Sequence, residues 1–183
     1  MPSTVPVRPA DGPAGGETGP GPLVDERLVR AAAGLTLALG AVAFFAALLG
    51  HDYRPLRAVT LLFAADFALR LVAGPGRSPV GAVAALLVRR LPAEPVSLRP
   101  KRFAWSLGLA MSAAMAVVTN AGVTGWLPRS VCLVCLTLMW LEAVLGVCLG
   151  CQVHRLLVRR RLLPADPGLV CADGACVLPE TLS

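Results

Sequence analysis

Charged residues are scarce in this chain. They make up 15% of its 183 residues, against about 25% in an average soluble domain. Aromatic residues reach only 5%, and no cysteine occurs before residue 132, whereas hydrophobic residues account for 56%. This balance excludes an ordinary soluble domain and predicts a membrane protein. The net charge of +6 does not indicate nucleic-acid binding, because the basic residues flank apolar runs.

A secretory signal peptide is also lacking. Residues 1–22 contain one arginine and no apolar run, and we expect the first apolar segment to be an uncleaved signal anchor. The same 22 residues contain six prolines and five glycines. Such a composition cannot bury a core, so it predicts a disordered tail.

Four apolar segments predict an all-α, polytopic membrane domain over residues 23–162. A membrane-spanning helix needs about 20 apolar residues. Between the second and third segments, Ser78 and Pro79 are typical of a helix start, but that helix is too short to cross and is expected at the interface. Residues 163–183 are expected to form a flexible cytoplasmic tail. The four predicted spans cover about residues 28–49, 56–73, 103–123 and 131–153.

The basic residues predict the orientation. Four spans place both termini on one side, and that side carries thirteen basic residues, against three on the other, with Arg70 inside a span left out of the count. The positive-inside rule therefore predicts a multi-pass protein of the bacterial inner (plasma) membrane with both termini in the cytoplasm. The three basic residues of the opposite side are Arg54, Arg57 and Arg129.

Paired cysteines are the main candidate site. Cys132 and Cys135 are expected in the first turn of the fourth span, with Ser130 as N-cap and Arg129 beside them. A helix N-terminus and a nearby cation both stabilise a thiolate, so this outer pair is predicted to be a reactive dithiol. Cys132 would then attack and Cys135 would resolve.

Cys148 and Cys151 form a second candidate catalytic pair, expected near the cytoplasmic end of the same helix. There the helix dipole opposes a thiolate, which predicts a poorer nucleophile. On one continuous helix the pairs would lie about 24 Å apart and face nearly opposite ways. A relay between them would need a mobile carrier such as a quinone, or another cysteine. Cys171 and Cys176 are accessory redox candidates, because their flexible tail could reach the inner pair.

Two other interpretations of the cysteines stay open. Cysteine is a small apolar residue that packs well in buried helices. Alternatively, two inner thiolates and two tail thiolates could hold a structural zinc ion, since residues at i and i+3 share a helix face. No definite metal ligands are assigned.

Ionisable residues inside the predicted spans are candidate proton or ion sites. Asp66 and Arg70 are four residues apart and can pair across one helical turn, either to fix packing or to bind a proton or anion. Glu142 lies seven residues after Cys135, on nearly the same face. It could relay the proton that thiol chemistry releases, or serve as a neutral packing residue.

The elements VDERLVRAAAG, ADFALR, GPGRSPVG, PKRFAWSLG and GVCLGCQVH occur in this order over about residues 23–160. In these elements the chain resembles the bacterial membrane family catalogued as domain of unknown function 4395. The resemblance implies an integral membrane protein without an assigned activity. Members often occur near thioredoxin-like or sulfurtransferase proteins, so it also implies a partner of that kind by association.

A looser similarity exists to the vitamin K epoxide reductase-type and DsbB-type enzymes. Those are four-helix membrane oxidoreductases with a bound quinone and a C-x-x-C at an outer helix end, the place of Cys132 and Cys135 here. The present chain differs because its other cysteine pairs are predicted inside. Together these features favour thiol-disulfide or sulfur-relay chemistry. A non-catalytic membrane subunit or a transporter of small sulfur oxyanions is the alternative from another class.

Overall fold

Helices dominate the structure, as the sequence predicts. The computed structural model describes residues 23–162 and, beyond them, only the backbone of two short strands. The predicted disordered tail, residues 1–22, lies outside this described part. The helices are α1 Glu26–Leu49, α2 Arg54–Ala73, α3 Pro79–Val88, α4 Leu98–Asn120, α5 Trp126–Leu145 and α6 Leu149–Arg159, and the strands are β1 Leu23–Asp25, β2 Pro95–Ser97, β3 Val170–Ala172 and β4 Ala175–Val177.

Three of these helices, α1, α4 and α5, are long and apolar enough to cross a membrane. Large apolar side chains on the surface, such as Val42, Val117 and Trp126, are mostly exposed. Contiguous exposed apolar surface of this kind marks contact with a membrane or a partner. The second predicted span corresponds to α2, which has 20 residues but also carries several charged side chains. Helix α2 is not among the three helices that are long and apolar enough to cross a membrane.

Local signals in the sequence explain where α1 and α3 begin. Asp25 is the N-cap of α1 and accepts a hydrogen bond from the backbone N–H of Arg27. Ser78 is the N-cap of α3, as predicted, and accepts from the N–H of Gly81. Side-chain acceptors satisfy amides that have no partner inside the helix. Helix α3 packs against α1, with Val80 and Ala84 in one cluster with Ala32.

Contacts at the two ends of the bundle show how the helices alternate. At one end the hydroxyl oxygen of Tyr53 accepts hydrogen bonds from Gly125 N and Arg129 Nε, both at 3.1 Å. This joins the α1–α2 turn to the α4–α5 turn. At the other end β1 pairs antiparallel with β2, Val24 opposite Val96. The long helices therefore run up and down between a turn end, at Tyr53, and a strand end, at Val24.

The predicted fourth span, residues 131–153, is wrong in both its bounds and its continuity. Helix α5 already begins at Trp126 and ends at Leu145. Gly146 follows with φ +69°, a left-handed conformation that glycine adopts without steric cost and that commonly ends helices. A new helix, α6, begins three residues later. We call residues 146–148 the elbow.

Within the predicted tail, residues 163–183, the structure describes two short strands. Strands β3 and β4 pair antiparallel, with Cys171 opposite Cys176. Strand β4 lies next to β2, which leads directly into α4. The tail cysteines are therefore positioned at the strand end of the bundle, although their side chains lie outside the described part of the chain.

Candidate functional site

The elbow places Cys148 at the start of a helix rather than near the end of one. Cys148 is the N-cap of α6, and its Sγ accepts a hydrogen bond from the backbone N–H of Cys151 at 3.3 Å. The prediction that the helix dipole opposes a thiolate here is therefore wrong. Helix α5 ends before Gly146, so Cys148 lies at the positive, amino-terminal end of the dipole of α6. That end of a helix favours negative charge.

A close contact between helices holds the elbow in place. Helix α6 packs on α4, and a Cβ added at Gly150 would lie only 2.6 Å from the Cβ of Ala104. The Gly146-x-x-x-Gly150 spacing therefore serves two different purposes. Gly146 ends α5 in a left-handed conformation, and Gly150 lets α6 approach α4 closely.

Both inner thiols are buried. Cys148 and Cys151 are each 2% exposed. The hydrogen-bonding contact with Cys148, followed by burial, raises the pKa of the Cys151 thiol. The two thiols are placed differently: Cys148 lies at the helix start, and Cys151 lies within the first turn of α6.

Lys101 supplies a buried cation beside these thiols. It is the only lysine of the chain and is 5% exposed. Its Nζ lies 2.9 Å from a carboxylate oxygen of Glu26 and 3.3 Å from Glu142 Oε1. It also interacts electrostatically with Cys151 and Cys148. A positive charge near a thiol favours the thiolate, as at reactive cysteines generally.

The outer pair is placed differently from the prediction. Cys132 and Cys135 lie in the second and third turns of α5, whose N-cap is Gly125 rather than Ser130. Ser130 is inside the helix, where its Oγ donates to the carbonyl of Leu127. The predicted helix-start activation of Cys132 is wrong, because the helix begins at Trp126.

Arg129 does not serve the outer thiols in the predicted way either. Its guanidinium donates to Tyr53 Oη and to the carbonyl of Ala47. Cys132 itself is buried in an apolar cluster with Phe44, Leu56 and Met115. These surroundings are typical of a packing cysteine, and apolar burial disfavours a thiolate.

An apolar cavity of about 240 Å³ connects the two cysteine pairs. It lies between the long helices, and its lining includes Cys132, Cys135, Glu142 and Cys148. A continuous helix would have turned the pairs in nearly opposite directions. Because the helix breaks at the elbow, three of the four thiols instead line one space.

Asp66 and Arg70 form the predicted ion pair across one turn of α2, and both are buried. Asp66 Oδ1 also accepts a hydrogen bond from Val80 N at 2.8 Å, which fixes the start of α3. The Arg70 guanidinium lies 5.0 Å from the centre of the Phe67 ring. Neither Asp66 nor Arg70 lines the cavity, although Arg70 interacts electrostatically with Glu142, which does. The pair joins α2 to α3.

The thiols do not assemble a zinc site in the described side chains. Among residues 23–162 no three or more His, Cys, Asp or Glu side chains converge as metal ligands. A tetrahedral site would need ligands beyond the inner pair. The tail thiols that were predicted to complete it lie outside the side chains that the structure describes.

Two kinds of residue at this site were not identified from the sequence. Lys101 looks like an interfacial anchor, because Arg102 follows it and an apolar run comes next. Its isolation as the sole lysine is the signal that could have marked it. The methionines of the cavity, Met111, Met115 and Met139, carry no sequence signal beyond helical spacing.

Comparison with known proteins identifies the family. Residues 24–159 match the model of the family described as domain of unknown function (DUF4395). No curated protein and no solved structure matches the chain. The match covers more than half of the sequence, so the chain belongs to this family, which confirms the resemblance found in its sequence elements.

Proposed function

We propose that this member of the DUF4395 family is a membrane protein that carries out thiol-disulfide exchange at Cys148 and Cys151. The observation that carries the proposal is the position of Cys148 at the N-cap of α6, where its Sγ accepts a hydrogen bond from the N–H of Cys151. Residues i and i+3 at a helix start have Cα atoms about 5–6 Å apart, which a disulfide can bridge.

In the proposed exchange, Cys148 attacks the substrate and Cys151 resolves the mixed disulfide. The thiolate of Cys148 attacks one sulfur of a substrate disulfide, forms a mixed disulfide and releases the first substrate thiolate. Cys151 then loses its proton to a nearby base and attacks Sγ of Cys148, which releases the second substrate thiolate. The protein dithiol is oxidised to a disulfide, the substrate disulfide is reduced to two thiols, and the two thiol protons end on the products.

Glu142 is the base that the geometry offers. Its carboxylate lines the cavity, interacts electrostatically with Cys151 and lies 3.3 Å from the Nζ of Lys101. This role deepens the proton-relay hypothesis for Glu142, and moves it from the outer pair to the inner pair.

Access to Cys148 limits the substrate. Since Cys148 is almost fully buried and faces the cavity, the first reactant must be small and mainly apolar, such as a low-molecular-weight disulfide or persulfide. The hairpin that carries Cys171 and Cys176 lies near the same end of the bundle. It is suited to exchange with the inner pair in turn, and a thioredoxin-like or sulfurtransferase partner would then act on the hairpin.

The membrane arrangement is part of the proposal. We assign α2 as a fourth span, because its buried charges Asp66 and Arg70 pair with each other inside the protein, as ionisable groups at membrane depth usually do. The strand end then faces the cytoplasm of the inner membrane, since most basic residues outside the helix interiors lie there. The anion-transporter alternative has less support, because Arg70 is already paired with Asp66 and lies away from the cavity.

The experiment isolates the inner pair. In a variant with Cys132, Cys135, Cys171 and Cys176 all replaced by serine, the two remaining thiols are equilibrated with defined ratios of reduced and oxidised dithiothreitol, and free thiols are counted by maleimide mass tagging. We expect a reversible intramolecular disulfide.

The matched control keeps only Cys132 and Cys135. We expect this outer pair to oxidise more slowly, because its sulfurs lack a helix start and a nearby cation. If the inner pair stays reduced at every ratio while the outer pair forms a disulfide, the proposed function is refuted.

A further inference from the structure

Six of the residues that line the cavity contain sulfur. Among residues 23–162 the chain has three methionines and four cysteines, and every one of them except Cys151 contributes to the lining. Thiol exchange requires no thioether, so the proposed function leaves the methionines without a role. The sulfur residues of the lining are Met111, Met115, Cys132, Cys135, Met139 and Cys148.

The spacing of these residues places the sulfurs on facing helices. Met111 and Met115 are one turn apart on α4, and Cys132, Cys135 and Met139 follow at intervals of three and four residues on α5. Such intervals put side chains on one helix face, and both faces border the same cavity. Met115 and Cys132 also belong to one buried cluster, so residues carrying a thioether and a thiol come to the same part of the core from different helices.

Oxygen ligands are few in the lining, whose side chains offer three hydroxyls and one carboxylate. The hydroxyls of Thr36, Thr60 and Ser112 each donate to a backbone carbonyl of their own helix. Glu142 accepts from Lys101. A hard cation such as Mg²⁺ or Ca²⁺ needs several free oxygen ligands, so this cavity does not suit one.

Soft sulfur ligands select soft metal ions, above all Cu(I). One thiolate together with neutral thioethers offsets a single positive charge, and an apolar cavity tolerates the resulting neutral site. Cu(I) and Ag(I) are satisfied by a pair of sulfur atoms, and they therefore do not require the larger ligand cluster that is absent from residues 23–162.

We propose that the cavity binds a soft monovalent metal ion of the Cu(I) class between α4 and α5. Cys132 and Cys135 supply the thiolate, and Met111, Met115 and Met139 supply thioethers. Binding replaces one thiol proton by the metal ion, and the proton passes to solvent. This site is independent of the exchange reaction proposed for Cys148 and Cys151.

The test uses a full-length protein in which Cys148, Cys151, Cys171 and Cys176 are serine, so that a failure of the thiol-exchange proposal cannot affect it. The purified, reduced protein competes with a chromogenic Cu(I) chelator under anaerobic conditions. We expect one equivalent of Cu(I) per chain.

Replacing the three methionines together by leucine (Met111→Leu, Met115→Leu, Met139→Leu) keeps the side chains apolar and of similar volume. We expect the Cu(I) affinity to fall at least about tenfold, equivalent to about 1.4 kcal/mol. The matched control, Leu138→Met, adds a thioether to the lining and should bind Cu(I) at least as tightly as the parent. X-ray absorption at the copper edge should show sulfur neighbours that decrease in number in the leucine variant.

Two results would overturn the proposal: no Cu(I) binding by the parent variant, or an affinity that the three leucines leave unchanged. If the triple variant does not fold, the single variant Met115→Leu is used, since Met115 packs with Cys132. For it, an unchanged affinity counts equally against the proposal.

Discussion

Lys101 shows how one buried side chain can organise this end of the molecule. Its ammonium lies between carboxylates of α1 and α5, from Glu26 and Glu142, while its own helix, α4, also contacts α6. Removing one partner of a buried ion pair leaves an uncompensated charge, which costs far more than the loss of an exposed pair. Lys101 therefore stabilises the fold by joining α4 to α1 and α5.

We predict that Lys101→Gln lowers the free energy of unfolding by about 3–5 kcal/mol, measured by thermal or denaturant unfolding in detergent micelles. The matched control is Arg27→Gln, which removes the more exposed ion pair between Arg27 and Glu94 and should cost about 0–1 kcal/mol. Equal losses in the two variants would contradict the burial argument for Lys101.

At the scale of elements, the break between α5 and α6 is the decisive feature. It turns the inner cysteine pair from the end of one helix to the start of the next. The geometry depends on how closely α6 approaches α4, because a methyl group at Gly150 would overlap Ala104.

We predict that Gly150→Ala destabilises the fold by about 1–3 kcal/mol through overpacking and slows oxidation of the Cys148–Cys151 pair. Ala104→Gly in the same chain should recover part of the loss, as expected for residues in direct contact. Gly76→Ala is the control, since a Cβ there meets nothing within 4 Å. Identical effects at Gly76 and Gly150 would refute the close-contact explanation.

The sequence predicts the helices better than it predicts the site. Apolar runs and caps reveal α1, α2 and the start of α3, because hydropathy and hydrogen-bonding side chains act locally. The run from Val131 to Val153 is uniformly apolar, and hydropathy alone cannot reveal that Gly146 adopts a left-handed conformation. Helix α6 is held by the contact of Gly150 with α4, far away in sequence, so the position of Cys148 at a helix start could not be predicted.

At the scale of the whole molecule, the two ends of the bundle differ in chemistry. The turn end is closed by hydrogen bonds to Tyr53. The strand end holds the buried ion pairs, the elbow and the β3–β4 hairpin. If the strand end faces the cytoplasm, as we propose, then the proposed exchange site is on the cytoplasmic side.

We predict that, in a cysteine-free background, Asp52→Cys reacts with a membrane-impermeant maleimide in right-side-out vesicles. Arg90→Cys should react only after permeabilisation. Both positions are exposed in the structure, so different labelling would reflect sidedness rather than burial. The opposite pattern would show that the strand end faces outward.

The pairing of β1 with β2 has a consequence for biosynthesis. Glu94, whose backbone N–H donates to Asp25, lies 69 residues farther along the chain. Helices α1, α2 and α3 are therefore synthesised before β1 can meet its partner strand. The amino-terminal end of α1 therefore lacks this strand pairing while α2 and α3 are synthesised, and the pairing forms only after the segment leading into α4 has emerged from the ribosome.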